Sequence, residues 1–531
     1  MFSFLTAAAL SAQLLPSTNP NPSLANASTI AQSLPIQSEN GYPIARQVSL
    51  SANEILQPQD IRSLPGSLDS TPVFNSNSPE AIRQPGILVS TFPSTGKLYP
   101  SAHLNYALQG RFDIFAHHIA KTDKPDTTPT LYNGLLIYNP SATETIYVDV
   151  LKAASFLGTP DAPYVEMPPL MDNPIGRFFS GPGGRLTDFL LRNERQVRAR
   201  RISLFPKQTE LLMNLPIPVP RPAWGKRAWS SLPQAISPTL KIQKPVFKPT
   251  LLNTTASSNA RSTLMRLSSS GPVYVANMAL YAPVLSTGQE SIPTKAAWEN
   301  LLVNGKLAEP RDRGPSPLGS SVADRLFFYG RVAGVSRGSK WHALVTDKPR
   351  SKRLTIPKVG EAFSYGLSTL QRGTFGTGQV QSAPMLVRYP DTAFLSHGNF
   401  GVHYELSLPL YNSTREPQQV ALAVQTPIKQ DILAKGLRFL RALPGQIFFR
   451  GTVRLRYKDD TNNSQVRYFH LNQRQGQQGQ PLAVFKLDPR KERLVTLDYL
   501  YPPDSTPPQV VTIQTLSEQP SIQQSAYGIP R

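Results

Sequence analysis

Apolar residues recur along most of this chain in short runs cut apart by Pro, Gly, Asn and Ser, and within the runs the period is two. At Ile146-Tyr-Val-Asp-Val150, positions 146, 148 and 150 share one face while Tyr147 and Asp149 share the other, the pattern of a half-buried strand. Residues 273–281 and 448–457 read the same way. Helical spacing is confined to residues 187–193 and 294–304. In the second of these, Thr294 can cap the N-terminus, Gly305 can take the left-handed position past the end, and Ala297, Trp298 and Leu301 form the buried side. Both read as short connectors that do not organise the fold, so the pattern predicts an all-β protein.

Four landmarks recur in the same order in the two halves. Phe115-Ala-His-His118, Tyr138-Asn-Pro-Ser141, Phe178-Phe179 and Leu204-Phe-Pro-Lys207 are matched by Phe394-Leu-Ser-His397, Tyr411-Asn-Ser-Thr414, Phe448-Phe449 and Leu487-Asp-Pro-Arg490. The repetition predicts two related β-sandwich-like units with short helical connectors and a Pro-rich basic insertion. The expected organisation is a first unit over 56–213, the insertion over 214–258, strands completing the first unit over 259–285, a helical connector over 286–323, a second unit over 324–515 and a tail over 516–531. Residues 1–15 (MFSFLTAAALSAQLL) carry no charge and lead to Ala25-Asn26-Ala27, which reads as a signal peptide over 1–27, with residues 28–55 as a flexible tether. Periplasmic or secreted localisation is the consequence. No run is long and apolar enough to predict a transmembrane helix.

Composition narrows the function classes. Of 531 residues 52 are Pro, about twice the usual share, which excludes long helical bundles. Cys is absent, so disulfides, zinc fingers, iron–sulfur clusters and thiol nucleophiles are excluded. The net charge of +21 is clustered. One block holds Arg192, Arg195, Arg198, Arg200 and Arg201; the insertion holds Trp224-Gly-Lys-Arg-Ala-Trp229, two aromatics bracketing Lys226 and Arg227; a third holds Lys352 and Arg353. Cations interleaved with aromatics suit anionic sugars or lipid headgroups, and in an exported protein they point away from nucleic acid. Tryptophans that merely pin the insertion to the domain are the plainer alternative.

Candidate chemistry is sparse. His103, Asp113 and His118 lie close enough in sequence to suggest a metal site, but His117 and His118 are adjacent and would face opposite sides of a strand. Asp459 and Asp460 sit in a turn that could hold calcium. Gly334-Val-Ser-Arg-Gly338 has the spacing of a nucleophile elbow but is followed by a strand pattern, and reads as a glycine-bounded hairpin. Gly373-Thr-Phe-Gly-Thr-Gly378 is no nucleotide fingerprint. No cofactor and no catalytic residue are expected.

Residues 69–80 (DSTPVFNSNSPE), 112–118 (FDIFAHH), 261–266 (RSTLMR), 363–368 (FSYGLS) and 384–392 (PMLVRYPDT) resemble the signatures of a largely cyanobacterial family known only as a domain of unknown function. The resemblance implies an exported all-β protein of a photosynthetic bacterium and brings no activity with it. The expected function is non-enzymatic: an envelope-associated module binding anionic cell-wall polysaccharide or membrane surface. The alternatives are a carbohydrate-active enzyme on envelope glycans, or a structural subunit of a periplasmic assembly.

Overall fold

Nearly every alternating run becomes a strand in the computed structural model, which describes residues 51–194, 196, 200–219, 258–432 and 435–517. The chain opens with β1 (Glu54–Pro58), β2 (Asp60–Arg62), β3 (Ser67–Leu68), β4 (Pro72–Ser76), β5 (Ala81–Ile82), β6 (Gly86–Ser90), β7 (Leu108–Lys121), β8 (Leu131–Tyr138), β9 (Ile146–Leu157) and β10 (Leu170–Asp172). Helix α1 (Gly181–Leu191) leads to β11 (Arg200–Leu204), β12 (Thr209–Ile217) and β13 (Ser258–Tyr281). Helix α2 (Lys295–Asn304) precedes β14 (Ala333–Arg337), β15 (Lys340–Leu344), β16 (Leu354–Thr355), β17 (Ala362–Leu367), β18 (Ala383–Arg388) and β19 (Leu395–Ser396). The rest comprises β20 (His403–Tyr411), β21 (Gln418–Gln425), β22 (Gly436–Leu440), β23 (Ile447–Lys458), β24 (Ser464–Arg474), β25 (Pro481–Leu487), β26 (Glu492–Leu500) and β27 (Gln509–Thr515).

Two sandwich-like units result. In the first, β11-β9-β13-β7-β4 lie side by side, and β12, β8, the C-terminal half of β13 and β6 form the facing layer. Phe112, Ile114, Val148 and Met265 of one layer meet Leu135, Ile137, Met213 and Val275 of the other. β13 serves both layers through a register shift between Ser269 and Val273, where Ser-Ser-Ser-Gly-Pro (268–272) reads locally as a turn. In the second unit β25-β21-β27-β17-β2 faces β24-β23-β26-β20-β15. Phe363, Leu422 and Val511 pack there with Tyr404, Leu406, Leu455 and Leu497. The two five-strand orders correspond strand for strand, including a parallel last pair, β4 with β7 and β2 with β17.

The repeat is anchored by two asparagines. Asn139, fully buried, donates from Nδ2 to the carbonyls of Glu144 (2.7 Å), Leu204 (2.8 Å) and Phe205 (3.1 Å) and accepts from the Ser141 amide. Asn412 donates to the carbonyls of Glu416 (2.8 Å), Leu487 (2.9 Å) and Asp488 (3.2 Å) and accepts from the Thr414 amide. Each ties its own turn to a turn some 70 residues later, where Lys207 and Arg490 both hold positive φ (60° and 59°). The other two landmark pairs are not equivalent. His118 lies in β7 and His397 beyond β19; Phe178-Phe179 precede α1 whereas Phe448-Phe449 lie in β23.

Unit boundaries do not follow composition, because pairing is non-local. β1 pairs with β22, β2 with β17 and β3 with β15, so residues 54–68 belong to the second unit, and the expected tether ends in a strand. Conversely, β14 and β18 continue the first unit's sheet beyond β4. β14 and β15 therefore lie in different sheets, and Gly334–Gly338 is not a hairpin. Gly338 holds φ +113°, and a Cβ there would stand 2.7 Å from the Leu68 side chain. β12 runs to Ile217 rather than ending before 214; Pro216 is tolerated because β12 is an edge strand.

Both helices depart from their expected details. α2 is capped as expected, Thr294 Oγ1 accepting from the Ala297 amide at 3.2 Å, but Gly305 is extended (φ −89°), and Trp298 and Leu302 supply the buried side with Leu301 only half-buried. The Trp298 indole lies on Gly134 of β8, where a Cβ would stand 2.7 Å from the ring. α1 starts six residues early, with Pro182 in the first turn, where no amide donor is needed. It is no peripheral connector.

Candidate functional site: a charged seam between the units

Helix α1 lies where the outer faces of the two units meet. Its Leu186, Leu190 and Leu191 pack against Phe115, Ala154, Phe156 and Leu264 of the first unit and Leu500 of the second. Its C-terminal carbonyls, the negative end of the helix dipole, receive one cation from each side: Lys152 Nζ donates to Leu190 O at 3.1 Å and Arg454 Nη1 to Leu191 O at 3.0 Å.

Beyond that end the seam turns from apolar to charged. In the second unit Tyr404, Leu406, Val453, Leu455, Leu497 and Tyr499 fill the core. Alternation therefore puts His403, Glu405, Arg454, Arg456 and Asp498 on the outer face. Asp498 is completely buried. It accepts from Arg454 Nε at 2.8 Å on Oδ1 and from Arg456 Nε and Nη2 at 3.0 and 2.8 Å on Oδ2, with His403 Nε2 at 3.8 Å. Glu405, directly across from it on β20, pairs with Lys340 Nζ at 2.6 Å and meets Arg456 Nη2 at 3.5 Å. The first unit contributes Asp113, buried and ion-paired with Arg111, with Arg266 Nε at 3.9 Å.

Burial alone would raise the Asp498 carboxyl, but the contacts from His403 and Arg454 outweigh it and hold the group below the ordinary range; Lys340 does the same for the half-buried Glu405. Asp113 goes the other way, raised by burial that Arg111 and Arg266 only partly offset. His403 is pushed down by burial and by the nearby positive charge of Arg266, which links the two units electrostatically. A small cavity beside Asp113 continues the seam inward, lined also by Asn75, Ser336, Ser339, Ser396 and Phe400.

The residues expected to bind surfaces are scattered relative to this seam. Arg192 is internal: 8% exposed, paired with Asp188 at 2.9 Å and stacked 3.9 Å from the Tyr468 ring centroid, it is spent on holding α1. Arg200 and Arg201 are exposed on edge strand β11, Arg201 forking onto Asp149 at 2.8 and 3.0 Å. Lys352 is exposed, and Arg353 pairs with Glu492 at 3.1 Å over the Tyr411 ring. Arg195, Arg198, Trp224, Lys226, Arg227 and Trp229 lie outside the described residues, as does the segment read as a signal peptide.

The weak metal candidates do not converge. His103 Nδ1 meets Ser90 Oγ at 2.8 Å; His118 meets Ser76 Oγ at 2.8 Å and Pro79 O at 2.9 Å. Asp459 accepts from Thr461, Asn463 and Gln465 within its own hairpin, and Asp460 pairs with Arg493. Among the described residues no group of three or more His, Asp or Glu is placed to hold a metal ion, and no helix is long and apolar enough to cross a membrane.

Of the seam residues, Asp113 stands out in the sequence as a candidate, and His403 as a histidine with His397 but no third ligand near it. Arg454 and Arg456 did carry a signal, as cations at alternate positions of a run whose other positions are core. Lys340 opens the basic run that extends to Lys358, whereas Asp498 carried no signal, since only strand pairing brings the two together.

Fold and seam together define an all-β protein of two topologically matched sandwich-like units joined face to face around a helix and a buried ion cluster. The chain belongs to the family described as "Protein of unknown function (DUF3370)", whose family model matches residues 59–515. No curated protein matches. Among solved structures, the crystal structure of the coconut allergen cocosin is 9% identical over 78% of this chain and 84% of that one, with a TM-score of 0.08, at which the likeness carries no argument.

Proposed function

We propose that this is an exported, non-enzymatic protein that binds an anionic envelope polymer, with the seam as its anion site. One observation carries the reading: Arg111, Arg266, Lys340, Arg454 and Arg456 gather around Asp69, Asp113, Glu405 and Asp498, five cations to four carboxylates. The carboxylates hold the guanidinium groups in place, and the excess positive charge, set in a partly desolvated crevice, attracts an anion more strongly than dispersed surface lysines would. Export is supported by the N-terminal apolar run and the Ala-Asn-Ala site.

The enzymatic alternative has a specific observation against it. Glycoside hydrolysis uses one carboxyl kept protonated and one ionised. Glu405 and Asp498 face each other, yet cations hold both below the ordinary range, so this pair does not divide into an acid and a base, and Asp113, the carboxyl that burial raises, is ion-paired with Arg111.

The test is co-sedimentation of the protein with purified envelope at low ionic strength and at about 1 M salt, where screening acts beyond about 3 Å. A companion carries Lys340→Gln and Arg456→Gln. Binding is expected at low salt only, and weakened at least tenfold in the variant. Equal binding at both salt concentrations, or an unchanged variant, overturns the proposal.

A further inference from the structure

The sheet face that leads into the seam is built for more than charge. Along β9 the outward positions run Tyr147, Asp149, Leu151 and Lys152, a bulge at Leu151 keeping Lys152 on that side. α1 covers this face only from Lys152 onward, over Ala154 and Phe156. Below Lys152 it is open: Tyr147 is 45% exposed, and Phe205, just past β11 and two residues from Ser203, the partner of Tyr147, is 62% exposed. Polar groups surround the rings. Arg201 forks onto Asp149 with its guanidinium 5.7 Å from the Tyr147 ring centroid, Ser270 Oγ accepts from the Tyr147 amide at 2.9 Å, and Ser268 stands opposite both Asp149 and Arg111. From Tyr147 to Lys152 is about 17 Å of strand.

We propose that the ligand is an acidic polysaccharide chain laid along this face, its pyranose rings stacked on Tyr147 and Phe205 and its carboxylates directed to Arg201, Arg111 and the seam. The inference rests on the anion-site reading and sharpens it. Two exposed aromatics flanked by hydroxyls and arginines complement a ligand with apolar ring faces and periodic negative charge. A bare phosphate polymer has no faces to stack, and a lipid surface is entered by a contiguous apolar face rather than by two rings set among hydroxyls and an ion pair.

Binding is to be measured with polygalacturonate, inorganic polyphosphate and phosphatidylglycerol vesicles, using the unaltered protein, Tyr147→Ala with Phe205→Ala, and Tyr147→Phe. Both rings are exposed, so thermal stability is expected to stay unchanged and serves as the folding check. The double variant is expected to lose tenfold or more in affinity for polygalacturonate while polyphosphate binding stays as it was, and Tyr147→Phe is expected to keep most of the affinity. If polygalacturonate binding ignores the rings, or vesicles are bound more tightly than polygalacturonate, the inference falls while the anion site stands. If none of the three probes is bound, the anion site falls with it.

Discussion

The two units share a scaffold and differ in what each places between its second and third matched hairpin strands. Both fold five strands in one order and both lock a turn with a buried Asn whose amide reaches three carbonyls. Between β9 and β11 the first unit inserts β10 and helix α1; between β21 and β25 the second inserts β22, β23 and β24. The unlike parts are the ones that meet. α1 rests on β23 and β26, and β23 brings Arg454 and Arg456 to Asp498. The repeated strands make the fold, and the site forms where the unrepeated parts are laid against them, β23 bringing Arg454 and Arg456 to carboxylates of the matched strands.

If that division is right, acid should attack the two scaffolds together, and this is the largest effect expected. Four histidines in the two units lie well below their ordinary value. Burial pushes His103 and His118 of the first unit down to about 4 and about 3, His397 beside β19 to about 4, and His470 of the second unit to about 3. Their folded values lie below the unfolded value near 6.5, so the unfolded chain takes up protons that the fold refuses. The stabilising contribution is complete above about pH 6.5 and is lost as pH falls toward 4. From pH 7 to pH 5 each histidine accounts for about 2 kcal/mol, on the order of 7 kcal/mol for the four. Urea unfolding at the two pH values should show that loss in one transition. Two separated transitions would show that the seam does not couple the units.

The asparagines give the next largest effect and the most direct comparison. Asn139→Ala and Asn412→Ala each strip the donor from three carbonyls inside a buried turn, at a cost of about 2–3 kcal/mol. Because the surroundings match, the two costs should agree within about 0.5 kcal/mol, and because the sites share no partners the double variant should be additive. Denaturant midpoints decide it. Costs differing by more than about 1 kcal/mol would mean that the turns are alike in geometry but not in function.

This equivalence was legible in sequence, since a turn that depends on one amide side chain keeps Tyr-Asn and, far downstream, Leu-x-Pro-cation. The strands were legible for the same local reason, alternation. Ser268 to Pro272 reads as a turn because a bulge uses the residues a turn uses, and α1 reads short because Gly-Pro-Gly-Gly looks like a loop. There the glycines admit Tyr164 and Pro503, which stand 2.4 and 2.2 Å from where a Cβ on Gly181 and Gly183 would be. The seam was hidden more deeply. Asp498 is an ordinary residue until β20 lies between its strand and that of Lys340, and that adjacency is set by two long-range pairings, Lys340 with His403 and Glu405 with Asp498.

The smallest effect tests whether α1 belongs to both units or only to the first. Lys152 comes from the first unit and Arg454 from the second, and each donates to one of the last helical carbonyls. Lys152→Met keeps the aliphatic stem and removes the charge, costing about 0.5–1 kcal/mol through the lost interaction with the helix end. Thr294→Ala, which removes the cap of α2, costs about 1 kcal/mol and serves as the peripheral comparison. The two should separate in amide exchange. Lys152→Met is expected to speed exchange in the last turn of α1 and in the facing residues of β23, whereas Thr294→Ala should leave both untouched and loosen only α2. Faster exchange confined to α1, with β23 unaffected, would mean that the helix is held by the first unit alone and that the second merely abuts it.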